Sequence, residues 1–314
     1  LPVTDPVEGH STSATNTLFS FSDELPLTQR PCNLKSLGAP LANEDWRINA
    51  PLAPIQQGPY SGQRAKHIGF LQASVEVPPE SDLRNLSAEL YSGLLDACRV
   101  LELPRFLRIW NYIPEINKGE GDSENYRQFC WGRADCLGDT QLPAATGIGS
   151  RDGWVRIGAL VAASAEQAPQ LAVTHLENPR QLSAWKYPRR YGPRSPSFAR
   201  ATLVRGASPT PDKGLLLVSG TASIVNHQSC HPGDLQAQTR EAINNVQALL
   251  DQACKPDRPA QPVSLRYYLR NEQQLAAARS AWESYAPQWP VDCYLGADIC
   301  RNDLLMEVEG VFSV

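Results

Sequence analysis

An α+β fold with a repeated unit is the architecture this sequence predicts. Three observations lead there. Some segments alternate apolar and polar residues with the period of a strand. Others space apolar residues three and four apart, as one face of a helix requires. The two kinds of segment follow each other as β–α–β–α–β twice along the chain, with LRIW at 107–110 and LRYY at 265–268 in equivalent places. Helices are therefore expected on one face of each mixed sheet.

Residues 1–60 are rich in Pro, Ser, Thr and Asn, and read as short strands and loops. From Gly69, FLQASVEV alternates as a strand until Pro78 and Pro79 stop it. Ser81 is the expected helix cap, and Leu83, Leu86, Leu90, Leu94, Ala97 and Leu101 form one apolar face. Pro104 closes that helix, FLRIWNYI is a strand, GDSENYRQFCWGRADC holds a second helix, and WVRIGALVAAS returns to strand. In the second round LLLVSGTASIV is a strand running into a turn. Asp234 caps a helix whose face carries Leu235, Thr239, Ala242, Val246, Leu249 and Ala253. VSLRYYLR alternates strongly, NEQQLAAARSAWESY is helical, and a last strand ends the chain.

Composition narrows the function classes. Across 314 residues, 42% hydrophobic content supports a real core, and a net charge of −4 gives no field for nucleic acid or an anionic membrane. No apolar run is long enough to span a bilayer. The opening LPVTDPVEGH has neither the basic nor the apolar region of a secretory signal, and eight scattered cysteines suit free thiols in a reducing cytoplasm. HQSCH offers His227, Cys230 and His231, but no second cluster completes a zinc set, so no metal is expected. ATGIGS lacks the Lys-Ser/Thr ending of a phosphate loop, and GTASI is not a nucleophile elbow.

Two sets of arginine and tyrosine remain. Tyr126 and Arg133 lie two helical turns apart, on one face if ENYRQFCWGR is helical. Tyr187, Tyr191 and Arg194 sit in the Pro- and Gly-punctuated YPRRYGPRSPSFAR. Arginine is suited to bidentate carboxylate recognition and tyrosine adds an oriented hydroxyl. The same arginines could equally pair with surface Asp and Glu. In CRNDLLMEVEG, strand alternation puts Leu304, Met306 and Val308 on one face and Leu305, Glu307 and Glu309 on the other. That pattern fits an edge strand with one wet face, and it also fits a general acid held in a cleft.

WNYIPEIN, ENYRQFCWGRA, YPRRYGPRSPSFARA, VSGTASIVNHQSCHPGD and ADICRNDLLMEVEG together resemble blocks of the chorismatase family, in family order, over roughly residues 60–314. The C-terminal third also resembles the RidA (YjgF-like) imine deaminase fold, through SGT, the helix opened by GD, the alternating strand and the final E-V-E. The resemblance implies three RidA-like units in a pseudo-threefold arrangement within one chain. These would be a reduced unit at 1–60, a central one at 61–195 and one at 196–314 carrying the acid, with the active site between the last two. It implies a cofactor-independent enzyme of secondary metabolism, acting as a monomer on chorismate. Glu307 matches the family's acid, Arg133 and Arg194 with Tyr126 and Tyr191 would hold the two carboxylates, and Ala222 is a pocket position. A cysteine at 300 goes with the branch that aromatises chorismate to 3-hydroxybenzoate, with or without 4-hydroxybenzoate. Ala222 departs from that branch, which prefers glycine there, and the alternative product is the dihydroxycyclohexadiene carboxylate formed by hydrolysis. Pro290-Val291-Asp292 replaces the substrate-binding arginine of imine deaminases, which ranks that activity second, beside a silent metabolite-binding module.

Overall fold

Two sheets with one shared strand order organise the chain, which a computed structural model describes over residues 16–21, 32–37, 44–78, 81–137, 142–206, 214–254 and 258–314. The elements begin with β1 (Asn16–Phe21), β2 (Lys35–Ser36), β3 (Glu44–Ile48), β4 (Ala53–Gln57), β5 (Tyr60–Arg64) and β6 (Ile68–Glu76). Then come α1 (Leu83–Val100), β7 (Arg105–Pro114), α2 (Asn125–Leu137), β8 (Ala144–Ser150) and β9 (Trp154–Ala162). The second round holds β10 (Ala172–Leu176), β11 (Ala201–Arg205), β12 (Gly214–Thr221), a small hairpin of β13 (Ile224–Val225) and β14 (Gln228–Ser229), and α3 (Leu235–Ala253). It closes with β15 (Gln261–Leu269), α4 (Leu275–Tyr285), β16 (Cys293–Gly296) and β17 (Met306–Ser313).

The central sheet runs β4-β5-β6-β9-β7-β8, and the second runs β10-β11-β12-β17-β15-β16 with β2 added at its edge. Each round makes an antiparallel meander, then crosses through two helices to a single parallel pair, β7–β8 or β15–β16. Its last strand inserts antiparallel into the middle. A parallel pair needs such a crossover, and the helix supplies it. LRIW and LRYY thus occupy the same strand of two copies.

The helices form where the apolar spacing lies. Leu83, Leu90, Leu94 and Ala97 are buried on α1, and the matching positions of α3 are buried too. Asp234 caps α3 by accepting the Ala237 N–H at 3.0 Å. At α1 the cap is Asp82, not Ser81: the Ser81 N–H is used in a turn onto the Pro78 carbonyl, and Asp82 accepts the Arg84 N–H at 2.8 Å. Pro79 lies outside the described residues. The first helix ends at Val100, with Leu101 as its C-terminal cap, before Pro104 is reached.

Helices α1 and α2 cover one face of the central sheet, and α3 and α4 one face of the second. The opposite faces share a core with the β1–β3 ladder, in which Phe19, Phe21 and Trp46 pack with Phe70, Trp110, Tyr268 and Val311. The expected divisions at 60/61 and 195/196 need correction. Tyr60 opens β5, which pairs with β4 in the central sheet, and β10 pairs with β11 in the second. Polar APIQQ and YSGQR hide that first hairpin from periodicity. Of residues 1–52, those described contribute β1, β2 and β3; residues 1–15, 22–31 and 38–43 lie outside the description.

Candidate active site

The strand that carries both carboxylates is interior, flanked by β12 and β15, so the wet-edge reading of CRNDLLMEVEG fails. Met306, Val308 and Phe312 face the helices, while Glu307 and Glu309 face the other sheet, each 4% exposed. Leu305 precedes the strand and packs with the helix-side core instead.

The two carboxyls meet opposite surroundings. Glu309 is paired with Arg108 at 2.6 Å and Arg266 at 3.1 Å, and it accepts from Tyr268 Oη at 2.8 Å, Trp110 Nε1 at 3.2 Å and the Thr146 hydroxyl. Burial alone would raise its pKa, but the two guanidiniums and these donors hold it below the ordinary value. Glu307 makes no hydrogen bond or ion pair with any described residue. Burial first, and then the charge of Glu309, push its carboxyl up to about 8 against the pull of Arg108 and Arg200. It is a neutral acid at pH 7. Gly220 of β12 makes the room: a Cβ there would run into Glu307 Oε1.

Glu307 lies in the wall of a cavity of about 490 Å³, at the junction of β8, α2, β12 and the loops at 181–200 and 300–303. Five arginines line it: Arg127, Arg133, Arg190, Arg200 and Arg301. Arg133 is 5% exposed, yet its Nε and Nη2 have no hydrogen-bond partner, and its guanidinium lies 5.1 Å from the Tyr91 ring. Arg200, also buried, donates through Nη2 to Leu182 O and Tyr187 Oη, both at 2.8 Å, while its Nε has no partner. Buried guanidiniums with unused donors are costly unless an anion joins them. Arg301 donates to His227 O at 3.0 Å and lies 4.1 Å from the Tyr191 ring.

Of the residues expected from sequence, Glu307, Cys300, Tyr126, Arg133, Tyr191 and Ala222 all line this cavity. Arg194 does not. Its side chain is 58% exposed, 3.5 Å from Asp135 on the outer surface. Arg200 and Arg301 line the cavity instead. Arg200 had a legible signal. Val204 of β11 faces the other sheet while Ala201 and Leu203 face the helices, so Arg200 shares the parity of the cavity side. Arg301 follows Cys300 in a loop without periodicity and gave none. The Cys300 thiol is raised to about 12, by burial and then by Glu307, so it is neutral and shapes the wall. Elsewhere, His227 hydrogen-bonds Arg190 and Tyr191, and His231 stands 3.6 Å from Glu241. Asp292 accepts the Leu265 N–H at 2.7 Å and lies outside the cavity.

Residues 44–161 match the family model for the N-terminal domain of FkbO/Hyg5-like chorismatases. The chain is 33% identical to a 3-hydroxybenzoate synthase of Streptomyces hygroscopicus over 87% of its own length and 83% of the relative's. It is 32% identical to a chorismatase of Streptomyces rapamycinicus, over 86% and 82%. A crystal structure of a chorismatase superposes with a TM-score of 0.77 at 27% identity, covering 98% of this chain and 96% of that one.

Proposed function

The chain belongs to the chorismatase family, and on that premise we propose that it cleaves the enol ether of chorismate to pyruvate and 3-hydroxybenzoate, with Glu307 as the proton donor. 4-Hydroxybenzoate is allowed as a second isomer. One observation carries the reading. Two carboxyls share one strand face, one ionised and fully bonded within the ion cluster, the other neutral, unbonded and open to the cavity. A neutral carboxyl is what protonation of an enol carbon requires at pH 7.

Chorismate brings two carboxylates into a cavity whose buried arginines have unused donors, and Arg133 and Arg200 are the proposed clamps. Oriented this way, the methylene carbon lies against Glu307, and its protonation leaves an oxocarbenium ion. The neighbouring ring hydroxyl then gives up its proton and attacks the ring carbon that bears the ether, so pyruvate leaves with the ether oxygen and an arene oxide forms. The other C–O bond of the oxide breaks as its oxygen takes a proton back. Loss of a ring proton aromatises the product. No water is consumed, and the two protons released, from the hydroxyl and the ring carbon, balance the two taken up, at the methylene carbon and the oxide oxygen. Cys300, neutral and packed beside the acid, would keep water from the cation. In the second reading water adds instead and the diene-diol forms. The Ala222 methyl in the cavity wall, where the aromatising pattern has glycine, favours that outcome. The proposed setting is the cytoplasm: no disulfide joins any of the eight cysteines, and among the described residues no helix is long and apolar enough to cross a membrane.

Incubation with chorismate, with pyruvate assayed and products separated by chromatography, tests the reading. Equal amounts of pyruvate and 3-hydroxybenzoate are expected, and Cys300→Val should move product toward the diene-diol. Binding without pyruvate would leave a silent binding module, and ammonia release from an imine substrate would restore the deaminase.

A further inference from the structure

We infer that Glu309 is a positioning residue for this chemistry: its fixed negative charge, held by one arginine from each repeat, governs the charge state of the Glu307 carboxyl. The inference rests on the reading of Glu307 as proton donor. Arg108 of β7 and Arg266 of β15 are the second residues of LRIW and LRYY, equivalent positions of the two copies, and they converge on one carboxylate from opposite sheets. Arg266 is shared with Glu44 of β3 at 2.7 Å. The cluster therefore balances two cations with two anions, closed by Tyr268, Trp110 and Thr146.

Glu307 stands next to this cluster without belonging to it. The two carboxylates share a strand face, about 7 Å apart along the chain. The Thr146 hydroxyl, which could have served Glu307, is already bonded to Glu309 and Arg108 and accepts the Gly220 N–H at 3.1 Å. The groups around Glu307 are Glu309 on its own strand, Arg108 from β7, Arg200 ahead of β11, Tyr126 of α2 and Cys300. Arg108 has its counter-ion in Glu309, which leaves Arg200 as the one cation of this group to offset a second carboxylate. Without the Glu309 charge, Arg108 would lack an anion, and Glu307 is the group placed to ionise in its stead. The proton donor thus depends on the ion cluster that fastens the two repeats together.

Carboxyl ¹³C NMR titration of the intact protein tests this, with Glu307 assigned by its loss in Glu307→Gln. In the wild type Glu307 should titrate near pH 8 while Glu309 stays flat from pH 6 to pH 10. Glu309→Gln should lower the Glu307 midpoint by about one to two pH units, and the alkaline limb of kcat/KM should follow. Glu309→Asp, which keeps the charge, should hold it within about half a unit of wild type. An unmoved midpoint in folded Glu309→Gln overturns the inference and leaves the acid in place. Should that variant not fold, Glu309 titrating between pH 6 and pH 10 in the wild type overturns it. Absence of pyruvate release from chorismate would instead sink the acid reading, with the coupling between the carboxyls still measured.

Discussion

Glu307 and Glu309 are chemically identical, and only their partners separate an acid from an anchor. Because Glu307 works protonated, kcat/KM should be level below neutrality and fall tenfold per pH unit above about 8. A pH-rate profile reads this directly, and a rate that rises through that range would assign Glu307 the role of a base. Gly220→Ala should displace the Glu307 carboxyl, cutting kcat by about 10- to 100-fold. Its melting temperature should barely move, since the clash falls on the end of a side chain. Arg133→Met should raise the dissociation constant for chorismate about 100-fold by calorimetry, because it removes a buried cation with open donors. At this scale the sequence was partly legible. Alternation located both carboxylates, and helix period placed Tyr126 and Arg133 together. The 187–200 loop has no period, so Arg194 could not be told from Arg200 without the strand that follows.

Elements whose residues alternate or recur strongly were readable, and those built from small residues were not. VSLRYYLR and the capped α3 form where expected. AATGIGS of β8 has few branched side chains to mark it as a strand. Its Gly149 is small because Ile116 and Asp298 press against that position. Yet β8 supplies Thr146, Ala145 and Gly147 to the cavity, so part of the site stood in a segment that carried no pattern. The correction at α1 is testable at the same level. Asp82→Ala should cost about 1 kcal/mol in chemical denaturation, and Ser81→Ala almost nothing. Equal effects would return the cap to Ser81.

Across the whole molecule the repeat joins stability to chemistry. Two copies of one topology place their unhelical faces together, and the shared core, the ion cluster and the cavity all lie at that junction. We propose that the N-terminal strands are the remnant of a third unit and that the chain acts as a monomer. Val100 is the single large hydrophobic residue exposed among those described, which supports the second point. A folded-state pKa raised for Glu307 means stability that is full below the unfolded value near 4.5 and lost as pH rises through about 8. Glu307→Gln should therefore melt above wild type at pH 9, by roughly 2–4 kcal/mol, and match it near pH 4. Glu309 acts in the opposite sense: its depressed pKa gives stability at neutral pH that is lost as pH falls below the ordinary carboxylate range. The most direct test of the account is pyruvate release by Glu307→Gln, measured beside its affinity for chorismate. Turnover should drop at least ~100-fold with affinity nearly unchanged; turnover near the wild-type rate would contradict the account.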